Sequence, residues 1–542
     1  MTLRLPRLLS AIVLLAGFIG LTAVMTWPQV RGLTSRAAPH HDVYFNMWRL
    51  EWFAHALANR PARLFDGNIF YPEDRTLALS DAMMVEGVVA APLIWARLPR
   101  VLVHNLMLLG AIALSGAAMF LLVVELTRSR GAGVISGVIF AFAPYRFEHF
   151  MHMELQWTMW MPLAFLMLHR TLDTGALRRG IATGVFVGLQ MLSSIYYGIF
   201  LGTLIGLSAV LLIVADRATS LRRAAVALVA GGALAAVVSA AYAVPYMQTK
   251  DAMGGSRSTE QIEMFSARAS SYLVATPTNW LYGRMLQSRG RGERRLFPGF
   301  LALILATCGL LLRPPSARAI VYLLALVAAF ETSLGVRSFA YGFLYDYIAA
   351  YRGLRAPARV GIFVVMFLGV LAGYGYAALA SALRPWPRRW LLAALVLGLL
   401  AEYRVTLNLR AYPNTAPEVY QRLSQQPPGV VAEIPISSPV FPEADAEYEY
   451  MSTFHWFPLV NGYSGVYPPS YLHRRDRLQH FPDRPSLSQL RADGVRYVIL
   501  HAGRYAPDVL ARTLDDLTRS GSFLELGTFG HGPELCHLYV FR

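Results

Sequence analysis

Asp42 opens the stretch DVYFNMWRLEWFAHAL (42–57), an acid at the head of an aromatic-rich segment too polar to enter lipid. A carboxylate takes a proton from a hydroxyl only where it sits within hydrogen-bonding reach of it. Aspartate is also among the best helix N-caps, so local sequence leaves catalysis and capping both open for Asp42. The surrounding region, 27–100, adds Glu51, Asp66, Glu73, Asp74, Asp81 and Glu86 among Trp48, Trp52, Phe65, Phe70, Tyr71 and Pro72. Plain hydration accounts for Glu73 and Asp74, while Asp81 and Glu86 remain candidate polar contacts.

A second polar stretch, YRFEHFMHMELQW (145–157), carries Arg146, Glu148, His149, His152 and Glu154. His149 and His152 are three apart and would share a helical face, a spacing used by metal pairs, with Glu148 or Glu154 as third ligand. A divalent metal is one use of these residues; lining a polar cavity at the helix ends is the other, with His149, His152 and Glu154 as its polar contacts. A third stretch, YRGLRAPARVG (351–361), brings in Arg352, Arg355 and Arg359. Guanidinium groups pair bidentately with phosphate or pyrophosphate, and also contact lipid headgroups. Arg146, Arg355 and Arg359 are the phosphate-binding candidates.

The elements that must position these residues are mostly apolar. Of 542 residues, 55% are hydrophobic and 15% charged, against about 25% charged in soluble proteins. Eleven apolar segments recur: Leu8–Met25, Val101–Val124, Ala132–Ala143, Leu155–Leu168, Ile181–Ser194, Ile199–Val214, Ala224–Val244, Phe297–Leu312, Ala319–Leu334, Val360–Leu383 and Trp390–Ala401. About 20 such residues cross a hydrocarbon layer roughly 30 Å thick. The pattern predicts an all-α polytopic membrane bundle of about 11 spans, by the same length rule. The run Leu8–Met25 is longer than the core of a secretory signal, about 7 to 15 residues, so it reads as an uncleaved first helix.

Short arginine-bearing links stay on the cytoplasmic side. Arg4 and Arg7 precede the first segment; Arg128 and Arg130, then Arg170, Arg178 and Arg179, then Arg217, Arg222 and Arg223, then Arg313 and Arg318, then Arg384, Arg388 and Arg389 fill every second link. That alternation predicts a cytoplasmic amino terminus. It puts loops 27–100, 145–154, 248–296 and 337–359, with the tail from Tyr403, on the outer face. Met83–Leu98 is apolar too, but Glu86, Pro92 and Arg97 argue for an interfacial or re-entrant helix. The face Phe45, Trp48, Trp52 and Leu57 suggests that the segment after Asp42 also rests on the bilayer surface.

The tail changes character. Val430–Ile434 after Pro427-Pro428-Gly429 and Val495–His501 after Asp493-Gly494 read as strands, and Pro507–Arg519 as a helix. A C-terminal extracytoplasmic α/β domain over 406–542 follows, beside a transmembrane domain over 1–405. The net charge of +16 lies in the links rather than on one face, which argues against nucleic acid as a partner. Cys308 and Cys536 offer neither a disulfide framework nor metal-ligand spacing.

In layout the chain resembles the GT-C superfamily of integral-membrane glycosyltransferases, particularly bacterial polyprenyl-phosphate-sugar-dependent members. The resemblance lies in a cytoplasmic start, one span, then a long outer loop with an acid close behind the first helix (HHDVYFNMW, then FDGNIFYPEDRTLALSD), and about ten further segments. The links FAPYRFEHFMHMELQWTMWMPL, SSIYYG, RLFPGF and GLRAPARVG fit the same type. It covers about residues 1–405. It implies a bacterial inner (plasma) membrane enzyme whose first-loop acid, here Asp42, acts as general base. The donor would be a polyprenyl-phosphate-linked sugar, hexosyl or pentosyl, and the acceptor a glycan, lipid or protein. Many members carry an acidic pair at this position; here Asp42 follows His40 and His41 and precedes Val43. Two other readings differ in class. A transporter or flippase of lipid-linked substrate would place charged or helix-breaking residues in mid-span, paired between halves, whereas most of these segments are clean. A non-catalytic scaffold with a periplasmic binding domain would tolerate loss of Asp42.

Overall fold

The computed structural model describes residues 5–215, 220–249, 255, 257–287, 292–437 and 444–542. Arg4 and Arg217 of the basic links, and parts of the 248–296 loop, lie outside them. Each of the eleven apolar segments folds as a helix, from Leu5–Met25 to Pro385–Tyr403. Among the described residues, four helices are long and apolar enough to cross a membrane: Arg100–Thr127, Ile195–Ala215, Leu221–Thr249 and Pro357–Ser381. Others are shorter. Arg130–Phe142 has 13 residues and so extends about 20 Å at the helical rise, less than the roughly 30 Å of hydrocarbon. Met84–Trp95, with 12 residues, is shorter still. The chain divides into two compact units.

One unit comprises Met1–Leu33, Asn105–Ala241 and Ser256–Leu409 and holds most of the helices. Their starts are set by side chains that satisfy the unpaired amides of a first turn: Ser129 accepts from Ala132 N at 3.3 Å and Ser316 from Ala319 N at 3.2 Å. Their contacts are set by glycine. A Cβ at Gly184 would run into the Gly231 carbonyl, and one at Gly375 into that of Leu305. Helices Leu177–Ser193 and Leu221–Thr249, and helices Phe300–Leu311 and Gly361–Ser381, thus meet backbone to backbone, the close approach that small residues allow between apolar helices.

The other unit comprises Thr34–His104, Tyr242–Gly255 and Arg410–Arg542. It joins the first loop to the C-terminal segment. Strands β1 (Arg36–Ala37) and β2 (Arg410–Ala411) pair antiparallel. Strands β3 (Val430–Ile434), β4 (Val495–Leu500), β5 (Phe523–Phe529) and β6 (Cys536–Phe541) form a mixed sheet in the order β3-β4-β6-β5. β3 and β4 run parallel, with Ala432 opposite Val498 and Ile434 opposite Leu500; the pairs β4/β6 and β6/β5 are antiparallel. The turn signals act as their chemistry requires. Gly494 before β4 has φ +64°, and Gly521 ends helix Pro507–Ser520 at φ +61°, left-handed positions that favour glycine.

The helix His41–Asn59 is the core of this unit, not a helix lying on a bilayer surface. Val43, Trp48, Phe53 and Ala56 are fully buried, and the charged Arg49 and Glu51 among them are buried too. Burial of each large apolar side chain contributes about 1.5–3 kcal/mol. The polar ones stay because they are bonded. Arg49 donates to Asp81 O at 2.6 Å and to Asn46 Oδ1 at 2.5 Å, and Arg100 lies 3.3 Å from Glu51. Backbone bonds tie the first loop to the tail: Phe70 N to Asn461 O, Tyr71 N to Leu459 O and Leu459 N to Asn68 O.

Candidate active site

Asp42 is the second residue of its helix. The N-cap is His40, whose Nδ1 accepts from Asp42 N at 3.1 Å, so capping is not the task of Asp42. A carboxylate in the first turn still gains from the helix dipole. The turn is anchored from behind by Tyr412, whose hydroxyl donates to Ala38 O at 2.6 Å and accepts from His40 N at 3.3 Å.

Among the described residues, Tyr463, His40 and His41 approach the carboxylate of Asp42, a residue 9% exposed. Tyr463 donates its hydroxyl to Oδ1 at 2.7 Å. His40 Nδ1 lies 3.5 Å from Oδ2, and His41 Nε2 lies 3.9 Å from Oδ1. Burial, and then the negative charge of Asp42, push the Tyr463 hydroxyl far above the usual phenol range, so it remains a donor at any working pH. Its backbone N–H donates to Glu449 Oε2 at 2.9 Å. Glu449 is fully buried, and burial raises its carboxyl well above the usual range. One carboxylate oxygen is therefore fixed while the carboxylate keeps some access to solvent, which suits proton abstraction. Among the described residues, His40, His41 and Asp42 each offer one ligand atom, all within 4.8 Å of one another, and could together hold a divalent ion. Asp81 is buried, with its carbonyl on Arg49, and Glu86 is fully buried in the first turn of helix Met84–Trp95.

The remaining candidates lie in the helical unit. Arg146 is 1% exposed and donates from Nε to Phe140 O at 2.6 Å, from one terminal nitrogen to Gln156 O at 3.2 Å, and from the other to the Thr158 hydroxyl. All three guanidinium nitrogens thus hold the loop together. A phosphate contact at Arg146 would have to open these bonds.

Arg359 and His149 converge on a residue the sequence reading did not single out, Glu293. Arg359 donates from Nε at 3.0 Å and from a terminal nitrogen at 2.9 Å to Glu293 Oε1, and His149 Nε2 lies 3.5 Å from Oε2. Burial alone would raise the Glu293 carboxyl, but the Arg359 guanidinium beside it brings it down to about 2. Burial lowers His149 to about 3, so its ring is neutral at pH 7. The His152 ring is 5.5 Å from that of His149, and Glu154 is buried in the turn Met153–Leu155. Glu148 pairs with Arg295 at 2.7 Å. The acid–base alternation of GERR (292–295) is the only signal that could have pointed to Glu293 and Arg295.

Arg355 differs from both other arginines. Its guanidinium lies 5.1 Å from the Phe265 ring centre, it is half-buried, and among the described residues no ion pair neutralises it. Of the three phosphate candidates it alone carries a charge not already balanced by a carboxylate or spent on backbone and side-chain acceptors.

No family model and no curated protein matches this chain. Two solved structures are similar to it along nearly its whole length. The oligosaccharyltransferase AglB of Archaeoglobus fulgidus, in complex with an inhibitory peptide and a dolichol-phosphate, is 12% identical with a TM-score of 0.47, over 97% of this chain and 74% of that one. ArnT of Cupriavidus metallidurans, bound to undecaprenyl phosphate, is 13% identical with a TM-score of 0.48, over 98% of this chain and 97% of that one.

Proposed function

We propose that this protein is a membrane glycosyltransferase that moves a sugar from a polyprenyl-phosphate donor to an acceptor hydroxyl at the extracytoplasmic face, with Asp42 as general base. The observation that carries this reading is the Asp42 carboxylate itself: nearly buried, anchored through one oxygen by Tyr463 and flanked by two histidines. Asp42 takes the acceptor proton, the acceptor oxygen forms the bond to the anomeric carbon, and the bond from that carbon to the phosphate oxygen breaks. The polyprenyl phosphate leaves with the bonding pair, and one such displacement inverts the anomeric centre. In the same reading Arg355 pairs with the donor phosphate, because a guanidinium with no carboxylate partner among the described residues is the one able to accept a new anion. Asp81, Glu86, His149, His152 and Glu154 are the contacts proposed for the donor sugar or the acceptor.

The test is turnover of purified protein with a panel of polyprenyl-phosphate sugars, reading released lipid phosphate. Asp42→Asn keeps the shape and the Tyr463 hydrogen bond but removes the base, and abolishes transfer while insertion and folding persist. Full activity of Asp42→Asn rules out the base. A divalent ion on His40, His41 and Asp42 would occupy the lone pairs the base needs, so chelation with EDTA leaves turnover unchanged if Asp42 acts as a base. Loss of turnover in EDTA, restored by one metal that the native protein binds and Asp42→Asn does not, would reassign Asp42 as a ligand.

A further inference from the structure

We infer that Tyr463 is the positioning residue of the Asp42 base, which makes the segment following helix Ala444–Ser452 a working part of the catalytic apparatus. The inference rests on the reading of Asp42 as the base. It stands on a hydrogen bond between side chains 421 residues apart, 2.7 Å from the Tyr463 hydroxyl to Asp42 Oδ1.

An aspartate side chain ends in a broad, two-fold torsion, so an unheld carboxylate samples many orientations. A general base must instead present a lone pair along one direction, and a misplacement of 1 Å can cost on the order of 100-fold in rate. Tyr463 holds Asp42 Oδ1 from outside the turn that carries it, and is itself fixed three times over. The Tyr463 backbone N–H donates to buried Glu449 at 2.9 Å. Its ring meets the rings of His41 and Phe45 edge-on, with centroids 5.1 and 5.4 Å apart. The preceding Gly462 leaves no room for a Cβ, because Phe70 fills that space. None of these holds involves the hydroxyl, so the phenol oxygen is free to serve Asp42 alone. A purely structural tyrosine would not need its hydroxyl aimed at a carboxylate that keeps access to solvent.

Tyr463→Phe retains the ring contacts and the bond to Glu449 and deletes only the donor. Measured with the lipid-phosphate release assay, it lowers kcat by about 10- to 100-fold and leaves KM for the donor within about twofold, since orientation of the base matters in the transition state and not in donor binding. Asp42→Glu, with its carboxylate displaced from the Tyr463 hydroxyl, tests the route of the effect. Adding Tyr463→Phe to Asp42→Glu costs far less than it does in the native background, whereas a structural role costs the same in both. An equal cost in both backgrounds, or unchanged kcat in Tyr463→Phe, overturns the inference. Should Tyr463→Phe fail to fold, fluorinated tyrosines at position 463 replace it. Each fluorine strengthens the donor and weakens the base, so kcat falls along the series while KM holds, and a flat series overturns the inference. If Asp42→Asn is inactive and Tyr463→Phe is unaffected, the base survives and only the positioning role fails; if Asp42→Asn is active, both fall.

Discussion

Glu293 and Glu433 are both buried acids, yet their surroundings push them in opposite directions, and this gives each a distinct signature in pH. Glu293 is held near 2 by Arg359 despite its burial. A carboxyl depressed in the fold contributes stability that is complete above its ordinary value of 4.5 and is lost as the pH falls towards 2. Glu293→Gln removes that acid sensitivity and leaves Arg359 uncompensated, a change expected to cost about 3–5 kcal/mol for a pair this well buried. Thermal unfolding of detergent-solubilised protein between pH 7 and 3 should show a lower, flatter curve for Glu293→Gln. Glu433, fully buried on β3, is pushed up to about 8 by burial. It accepts from the Tyr420 hydroxyl at 2.6 Å and lies 2.7 Å from His501 Nε2. A carboxyl raised in the fold contributes stability that is complete below 4.5 and is lost as the pH climbs through 8. Glu433→Gln keeps the acceptor and ends the alkaline loss, so its melting temperature at pH 8.5 should exceed that of the native protein. Asp42, His149 and Arg355 stand out in the sequence as candidates because each lies in a polar, aromatic-rich link between apolar runs. Glu293 and Tyr463 do not, since what singles them out is a partner 66 residues away in one case and 421 in the other, and no local periodicity carries that information.

At the scale of elements, type and position were readable where a local rule governed. The strand expected at Val430–Ile434 has those bounds, the one expected at Val495–His501 ends one residue earlier, and the helix expected at Pro507–Arg519 runs Pro507–Ser520, because Pro-Pro-Gly, Asp-Gly and proline at N1 fix chain direction locally. The environment of helix His41–Asn59 was not readable. Its face of Phe45, Trp48 and Trp52 satisfies the pattern of a surface helix, but its charged residues Arg49 and Glu51 find partners in Asp81 and Arg100, so the whole helix can be buried. Amphipathic sequence distinguishes lipid from protein cover only when the opposite face lacks such partners. The glycine contacts make a sharper claim about elements. Gly184 has the Gly231 carbonyl where its Cβ would be, whereas Gly202 has nothing within 4 Å. Gly184→Leu should separate helices Leu177–Ser193 and Leu221–Thr249 and sharply reduce the monodisperse fraction on size-exclusion chromatography, while Gly202→Leu behaves as the native protein does. Equal behaviour of the two variants would remove close backbone packing as the reason for these glycines.

For the molecule as a whole, the governing question is which side of a membrane each exposed segment faces. Arginines recur in alternate links, and the charges at several of them are tied to nearby acids: Arg170 to Glu125 at 2.6 Å and Arg318 to Asp173 at 2.6 Å. Such pairs reduce the net positive charge of a link, but the orientation bias counts lysine and arginine and is only weakly offset by acids. The expectation of a cytoplasmic face for these links therefore stands on the arginines themselves. The first loop and the C-terminal segment belong to one compact unit, so their sidedness must agree, and that agreement is an internal check the sequence did not provide. Asn59, Arg178 and Arg512 are exposed, and single cysteines at these positions, in a background with Cys308 and Cys536 replaced by alanine, report the three regions separately. A membrane-impermeant maleimide applied to intact cells should modify Asn59→Cys and Arg512→Cys, and modify Arg178→Cys only after permeabilisation. Labelling of Arg178→Cys alone would invert the assignment and put Asp42 on the side where the proposed extracytoplasmic transfer does not occur.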